Sequence, residues 1–250
     1  MPAFALLAAS LPLRVASLNL CTDEYLLLLA PPERVVSVSY LSQDPHESPL
    51  WQAARRYAGN RGSIEDVLTL RPDLVLTMGG GGRSTALLAG RLRMRSVDLP
   101  NPTSLAAVAA NLRTVAAALG TPKKADAWVA RLEKLEASSP ATAIDAVWVS
   151  GGGQSLAPNS LGAQWLRLAG YRQRPLRGGR LTLEAMLINP PKVLIRSNYR
   201  SGQMSAGERW LDNPIVRRSP SRKLVTDGRP WTCMGPLMIA EIERLRSVRK

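Results

Sequence analysis

The thiol and imidazole chemistry of this 250-residue chain rests on two cysteines and one histidine. Cys21 follows an apolar run in Leu18-Asn19-Leu20-Cys21-Thr22-Asp23, and Cys233 lies in Arg229-Pro230-Trp231-Thr232-Cys233-Met234-Gly235-Pro236. Two such residues can pair as a disulfide, ligate a soft metal as thiolates, or sit apart as small buried side chains. His46 stands in Asp44-Pro45-His46-Glu47-Ser48-Pro49, which reads as a surface loop. Zinc and manganese need roughly three or four direct nitrogen or oxygen ligands, so one imidazole does not complete a shell and no protein metal site is expected.

Other residues suit an organic ligand. Tyr40, Tyr199 and Trp231 can stack on a flat macrocycle or catecholate, and the planar guanidinium groups of Arg61, Arg83 and Arg200 can pair with carboxylates or phosphate. The glycines of 79–82 would let backbone approach a bulky ligand, although a flexible turn explains them nearly as well and no dinucleotide or phosphate-loop pattern surrounds them. Trp128, Trp148 and Trp165 fall within apolar periodic segments and read as core.

The elements that must position these residues announce themselves through a near-repeat. Residues 64–76 align without a gap on residues 183–195, with a constant offset of 184 − 65 = 119. Each copy has an early acid, a helical turn or two, a proline that stops the helix and a Val/Leu/Ile run of strand length. Two such units predict two α/β lobes of related design. The expected divisions are an N-terminal lobe over 14–121, a connecting helix over 122–138 and a C-terminal lobe over 139–250. In the N-terminal lobe strand-like runs at 15–20, 34–39, 74–77 and 96–99 alternate with helical segments at 23–29, 63–70 and 84–92, the pattern of a parallel sheet. The second series runs through 146–149, 161–169, 181–188, 193–195 and 223–225 to a last helix from about 236 to 248. A helical link resists bending, so the cleft between the lobes is expected to move little. Ligands meet the carboxyl ends of parallel strands. That rule selects Cys21, Thr22, Tyr40, Met78, Gly79, Arg83, Asn198, Tyr199, Trp231 and Cys233 as cleft residues, with Arg61 beside them.

Composition narrows the classes. With 33 Lys and Arg against 19 Asp and Glu the formal charge is +14, which favours anionic partners without choosing among them. The arginines are scattered and no basic helix or aromatic RNA-binding strand accompanies them, so nucleic acid is not expected and a solvated basic surface is. No window approaches the roughly 20 apolar residues of a membrane span. Residues 1–13 read as a signal segment short of its charged n-region, with Ala8, Ala9 and Ser10 offering a cleavage site.

The run Arg14-Val15-Ala16-Ser17-Leu18, an acid-bearing helix, Arg34-Val35-Val36-Ser37-Val38, Gly62-Ser63-Ile64-Glu65-Asp66-Val67-Leu68 and Leu70-Arg71-Pro72-Asp73-Leu74-Val75-Leu76 resembles the helical-backbone (class III) substrate-binding proteins of ABC importers. The resemblance spans about residues 14–248, nearest to the binders of ferric siderophores, haem and cobalamin. It implies a non-enzymatic, monomeric periplasmic protein without a cofactor of its own, carrying a metal chelate to a permease. An exported chain favours pairing Cys21 with Cys233, which would staple the lobes, while thiols facing the cargo and unrelated cysteines stay open. Such proteins dock on the permease through one acid from each lobe. Glu184 matches the C-lobe position; the N-lobe position falls near Arg83 and Ser84, where the acid is absent and Glu65 or Glu47 would substitute. The alternative owners of a two-lobed fold, chelatase-type metal-tetrapyrrole enzymes, would need a further histidine.

Overall fold

A computed structural model of the chain describes residues 13–80, 82–199 and 206–249, so residues 1–12 of the signal-like segment, Gly81 and Arg200 lie outside the described residues. The N-terminal lobe runs β1 (Val15–Ser17), α1 (Leu20–Leu29), β2 (Val35–Ser39), α2 (Trp51–Ala54), β3 (Ala58–Asn60), β4 (Leu74–Met78), α3 (Gly82–Arg91) and β5 (Arg95–Leu99). Helices α4 (Leu105–Leu119) and α5 (Pro122–Ala137) follow. The C-terminal lobe runs β6 (Ile144–Val149), α6 (Leu161–Leu168), β7 (Tyr171–Gln173), α7 (Leu183–Ile188), β8 (Val193–Asn198), α8 (Ala206–Leu211), α9 (Pro214–Arg218), β9 (Arg222–Asp227), α10 (Pro230–Cys233) and α11 (Met238–Ser247). Among the described residues the strands form two all-parallel sheets, ordered β3-β2-β1-β4-β5 and β7-β6-β8-β9.

The repeat governs both sheets. β4 lies beside β1 with Leu74 opposite Val15, and β8 lies beside β6 with Val193 opposite Ala146. Leu74 and Val193 are equivalent under the sequence offset. The correspondence reaches the caps: Ser63 Oγ accepts from Asp66 N at 3.3 Å and Thr182 Oγ1 from Ala185 N at 3.1 Å. The first copy nevertheless forms a 3₁₀ turn, Glu65–Leu70, where a helix was expected; Arg71 then turns left-handed with φ 46° and ends it. β1 is shorter than its apolar run, and α1 starts at Leu20, because Asn19 turns extended and accepts Thr22 N at 2.9 Å as a helix cap. The short edge strands β3 and β7 were not foreseen; each has three residues.

One continuous apolar cluster runs from Val15, Leu26 and Leu74 through Leu112, Val115 and Leu132 to Trp165, Ile242 and Leu245, so α4 and α5 share the core of both lobes. At the pole where strands begin and helices end, basic side chains meet helix C-terminal carbonyls. Arg34 Nη1 donates to Leu119 O at 2.7 Å, Lys124 Nζ to Ala30 O at 3.0 Å and Arg14 Nη2 to Leu70 O at 2.7 Å. Arg246 reaches Leu168 O and Leu135 O, and Arg222 reaches Val248 O and Arg249 O. Each such contact supplies a donor to an orphan carbonyl at the negative helix end. Part of the basic excess therefore serves the fold, where a purely solvated surface was expected.

The lobes also meet along a polar seam. Cys21, in the first turn of α1, is disulfide-bonded to Cys233 at the end of α10, with Cα atoms 5.3 Å apart. One turn on, the Glu24 carboxylate accepts the backbone N–H of Leu237. A Cβ on Gly235 would stand 2.9 Å from Glu24 Oε1, so a larger residue there would displace the Glu24 carboxyl from the seam. Burial pushes the Glu24 carboxyl up to about 8, the Leu237 N–H opposing. Arg229 Nη1 donates to Pro45 O at 2.9 Å and, at 3.5 Å, to Ser48 O, and the Tyr199 hydroxyl donates to Glu47.

Trp231 departs from expectation. Pro230 opens a helical turn, and the indole packs inward at 4% exposure, 5.2 Å from Trp148, its Nε1 donating to Thr226 Oγ1 at 2.8 Å. It is a core residue and not a cleft wall. Trp231→Ala is accordingly expected to cost about 3–5 kcal/mol, lowering the melting temperature by roughly 10 °C in calorimetry; an unchanged transition would contradict the inward packing. For Glu24 the folded form holds its proton above the ordinary carboxyl value of 4.5 and the unfolded chain releases it. Its stabilising contribution is full below that value and fades as pH rises through about 8. Denaturant midpoints measured across this range should fall more steeply with pH in the wild type than in Glu24→Gln.

Candidate functional site

Residues just past the carboxyl ends of both sheets meet across the lobes, Tyr199 and Arg229 on residues 45–48, and the candidate site is built from the residues at these ends. β2 runs out at Ser39 into a 3₁₀ turn, Tyr40–Gln43, that starts with Tyr40, whose ring is 56% exposed. The turn is held from below by Asp23, which accepts Ser39 N at 3.0 Å and the Ser42 hydroxyl. Burial raises the Asp23 carboxyl to about 7 against the hydrogen bonds from these serines and from Ser17, which favour its charged form. Tyr40 is thus an exposed ring on an anchored turn.

Next to it, Asn60 ties the end of β3 across the sheet, donating to Ser17 O and Ser37 Oγ, both at 2.8 Å, and leaves Arg61 exposed. Beyond β4 the chain passes Met78 into Gly79 and Gly80, which have φ 87° and 82°. A Cβ on Gly79 would stand 3.0 Å from the Asn101 amide, so glycine here serves both the left-handed turn and the close approach of Asn101. Met78 is partly buried and packs on the main core rather than standing free. Arg83 belongs to α3, but its side chain lies outside the described residues.

On the C-terminal lobe β8 ends at Asn198, which is exposed, and Tyr199, which is half-buried. β9 ends at Asp227, whose carboxylate pairs with Arg229 at 2.7 Å. Tyr199 and Arg229 both grip residues 45–48 of the N-terminal lobe, the stretch that follows the Tyr40 turn. The stretch just past the Tyr40 turn is thus fastened to the ends of β8 and β9, and the disulfide joins the same two lobes.

Several sequence-selected residues fall elsewhere. Thr22 is fully buried, its hydroxyl 2.7 Å from Ser17 Oγ and 3.1 Å from Asn19 O, so it fastens α1 to β1 and cannot meet a ligand. Glu47 is 4% exposed and bonded to Tyr199, which rules it out as a surface docking acid. Cys21 and Cys233 are joined to each other, so neither offers a thiolate in this state. His46 is exposed on its loop. The cross-lobe roles of Glu24, Glu47 and Arg229 escaped sequence reasoning, because their partners lie 213, 152 and 184 residues away.

No helix among the described residues is long and apolar enough to cross a membrane. A search against curated proteins finds no match. Among solved structures, a periplasmic haem-binding protein from Pseudomonas aeruginosa matches with 24% identity and a TM-score of 0.65, covering 95% of this chain and 92% of that one. The periplasmic haem-binding protein HutB of Vibrio cholerae matches with 16% identity and a TM-score of 0.74, over 95% and 98% of the two chains. The periplasmic vitamin B12-binding protein BtuF of Vibrio cholerae matches with 20% identity and a TM-score of 0.61, over 94% and 95%. These likenesses establish the two-lobed fold. The family model described as "Periplasmic binding protein" matches residues 15–165, which reach from β1 through both connecting helices into α6, and by that match the chain belongs to the periplasmic binding protein family.

Proposed function

We propose that this protein is the periplasmic substrate-binding component of an ABC importer and that it holds a metal chelate, such as haem, a corrinoid or a ferric siderophore, between its lobes. The observation that carries this reading is the exposed Tyr40 ring on its anchored turn at the carboxyl end of the N-terminal sheet, on the lobe whose next residues, 45–48, are bound by Tyr199 and Arg229 of the other lobe. With the two cysteines joined and the lone histidine on a surface loop, the groups at the strand ends that could meet a ligand are the phenols of Tyr40 and Tyr199, the amide of Asn198, the backbone of Gly79 and the guanidinium of Arg61. Such groups suit the flat, polar-edged surface of an organic chelator. The solved neighbours named for haem and vitamin B12 carry cargo of that class.

Delivery would use Glu65 and Glu184. They are equivalent under the sequence offset and both are exposed, each at the start of a helical turn whose N-terminus lies at the cleft pole. The backbone N–H of Glu184 and the Thr182 hydroxyl hold the Glu184 carboxyl below its ordinary range, keeping it ionised for a basic pocket. Glu65 thereby takes the N-lobe place that the absence of an acid near Arg83 and Ser84 left open.

Native mass spectrometry against cobalamin, haemin and a set of ferric siderophores should give a one-to-one complex with one of them; failure with the whole panel would sink the chelate reading. Truncating a preformed aromatic anchor commonly costs about 1–2 kcal/mol or more, so Tyr40→Ala should weaken that complex roughly tenfold with little change in melting temperature. Glu65→Lys and Glu184→Lys should leave the affinity intact and abolish stimulation of the permease ATPase in proteoliposomes.

A further inference from the structure

The lobes are joined in two chemically different ways. On one side α4 packs on α6 and α5 on α11, through apolar side chains of the shared core. On the other side the seam holds the first turn of α1 and residues 45–48 against residues 229–237. The hydrogen bonds across it join the Glu24 carboxylate with Leu237 N, Arg229 with two backbone carbonyls, and the Tyr199 hydroxyl with Glu47. Cys21–Cys233 is the covalent tie across it.

We propose that Cys21–Cys233 is an exchangeable disulfide that sets how tightly this seam closes, reduced by a dithiol that reaches it from the cleft side. Both cysteines are partly exposed, while Thr22, Glu24, Trp231 and Gly235 around them are buried, so an attacking thiolate can reach sulfur without unfolding either lobe. One thiolate of the dithiol attacks a sulfur of the pair and expels the other cysteine as thiolate, forming a mixed disulfide. The second thiolate of the dithiol displaces the bound cysteine. The dithiol ends as a disulfide, and Cys21 and Cys233 end as two thiols after taking up two protons.

Position argues that the reduced pair stays aligned for reoxidation. Cys21 is fixed in a helix capped by Asn19. Cys233 is fixed by the Met234 N–H donating to Pro230 O at 2.9 Å and by Trp165 Nε1 donating to Met234 O at 3.0 Å. Reduction therefore removes the covalent tie and leaves the polar ties and the apolar joint, so the seam opens more often while α4 and α5 keep the lobes together and the two thiols within reach of each other. This inference does not depend on which cargo is carried.

The test compares hydrogen exchange of the native full-length protein before and after dithiothreitol, with free thiols counted by mass tagging. The expected result is two thiols without denaturant, an exchange rate at the Leu237 amide raised at least roughly tenfold, faster exchange in residues 20–25 and 45–48, and unchanged protection in β1, β4, β6 and β8. Cys21→Ser/Cys233→Ser should reproduce the pattern without reductant; if that variant does not fold, the reduced wild type carries the measurement. Thiols that appear only in denaturant, unchanged exchange at the seam, or loss of protection in both sheets would each overturn the proposal.

Discussion

The first turn of α1 is the element on which the remaining geometry depends. Successive helix residues are rotated by about 100°, so four neighbours point to four different surroundings. Cys21 bonds to the C-terminal lobe, Thr22 fastens the helix to the end of β1, Asp23 holds the turn that presents Tyr40, and Glu24 takes the backbone of Leu237. With Thr22, Asp23 and Glu24 buried in its first turn and Tyr25, Leu26 and Leu29 buried beyond them, the helix keeps only a narrow, partly exposed face at Leu20, Cys21, Leu27 and Leu28. Two carboxylates are buried there side by side, at a desolvation cost that raises both of their pKa values. What offsets that cost is backbone: each carboxylate accepts an N–H at the start of a following element that otherwise lacks an intrahelical partner.

That arrangement makes the cleft and the seam two aspects of one construction. Asp23 acts within its own lobe and Glu24 across the gap, so the position of Tyr40 relative to Tyr199 is set through a single helical turn. The basic side chains that cap helix C-termini lie at the opposite pole. The excess of positive charge thus has a structural use remote from the site, and net charge alone is a weak guide to the ligand. Specificity has to be sought in the phenols, amides and backbone at the carboxyl ends.

The sheets, their order of elements and the link through α5 were legible because the signals are local: strand-length apolar runs, a proline that stops a helix, and an internal repeat. The position of Tyr40 just past the end of β2 was legible for the same reason, because it follows directly from where the apolar strand run stops. Trp231 was misread because Pro230 has two meanings, a stiff loop or the first position of a helical turn, and the helical turn rotates the indole onto Trp148 and Thr226. Thr22 was misread because Asn19 starts α1 earlier than the apolar pattern does. Glu24, Glu47 and Arg229 carry no local mark at all. Only the folded chain brings their partners near.

The repeat shows where local signals end. Leu70 and Asn189 are equivalent under the offset of 119 residues, and each leaves a carbonyl at the end of its helical turn. Both carbonyls are capped by arginine, Arg14 Nη2 at 2.7 Å in one lobe and Arg174 Nη1 at 2.6 Å in the other. Yet Arg14 precedes β1, the first strand of its lobe, while Arg174 follows β7, the second strand of its own. The nearby acids differ too: Asp73 takes the backbone N–H of Arg14, whereas Asp145 pairs with the guanidinium of Arg174 at 2.5 Å. The same demand, an orphan carbonyl at a helix end, is met from two unrelated places in the chain. The positions that create a demand recur with the period of the repeat because they are fixed by local backbone geometry. The residues that satisfy it need only lie within reach in space, so they do not recur in sequence.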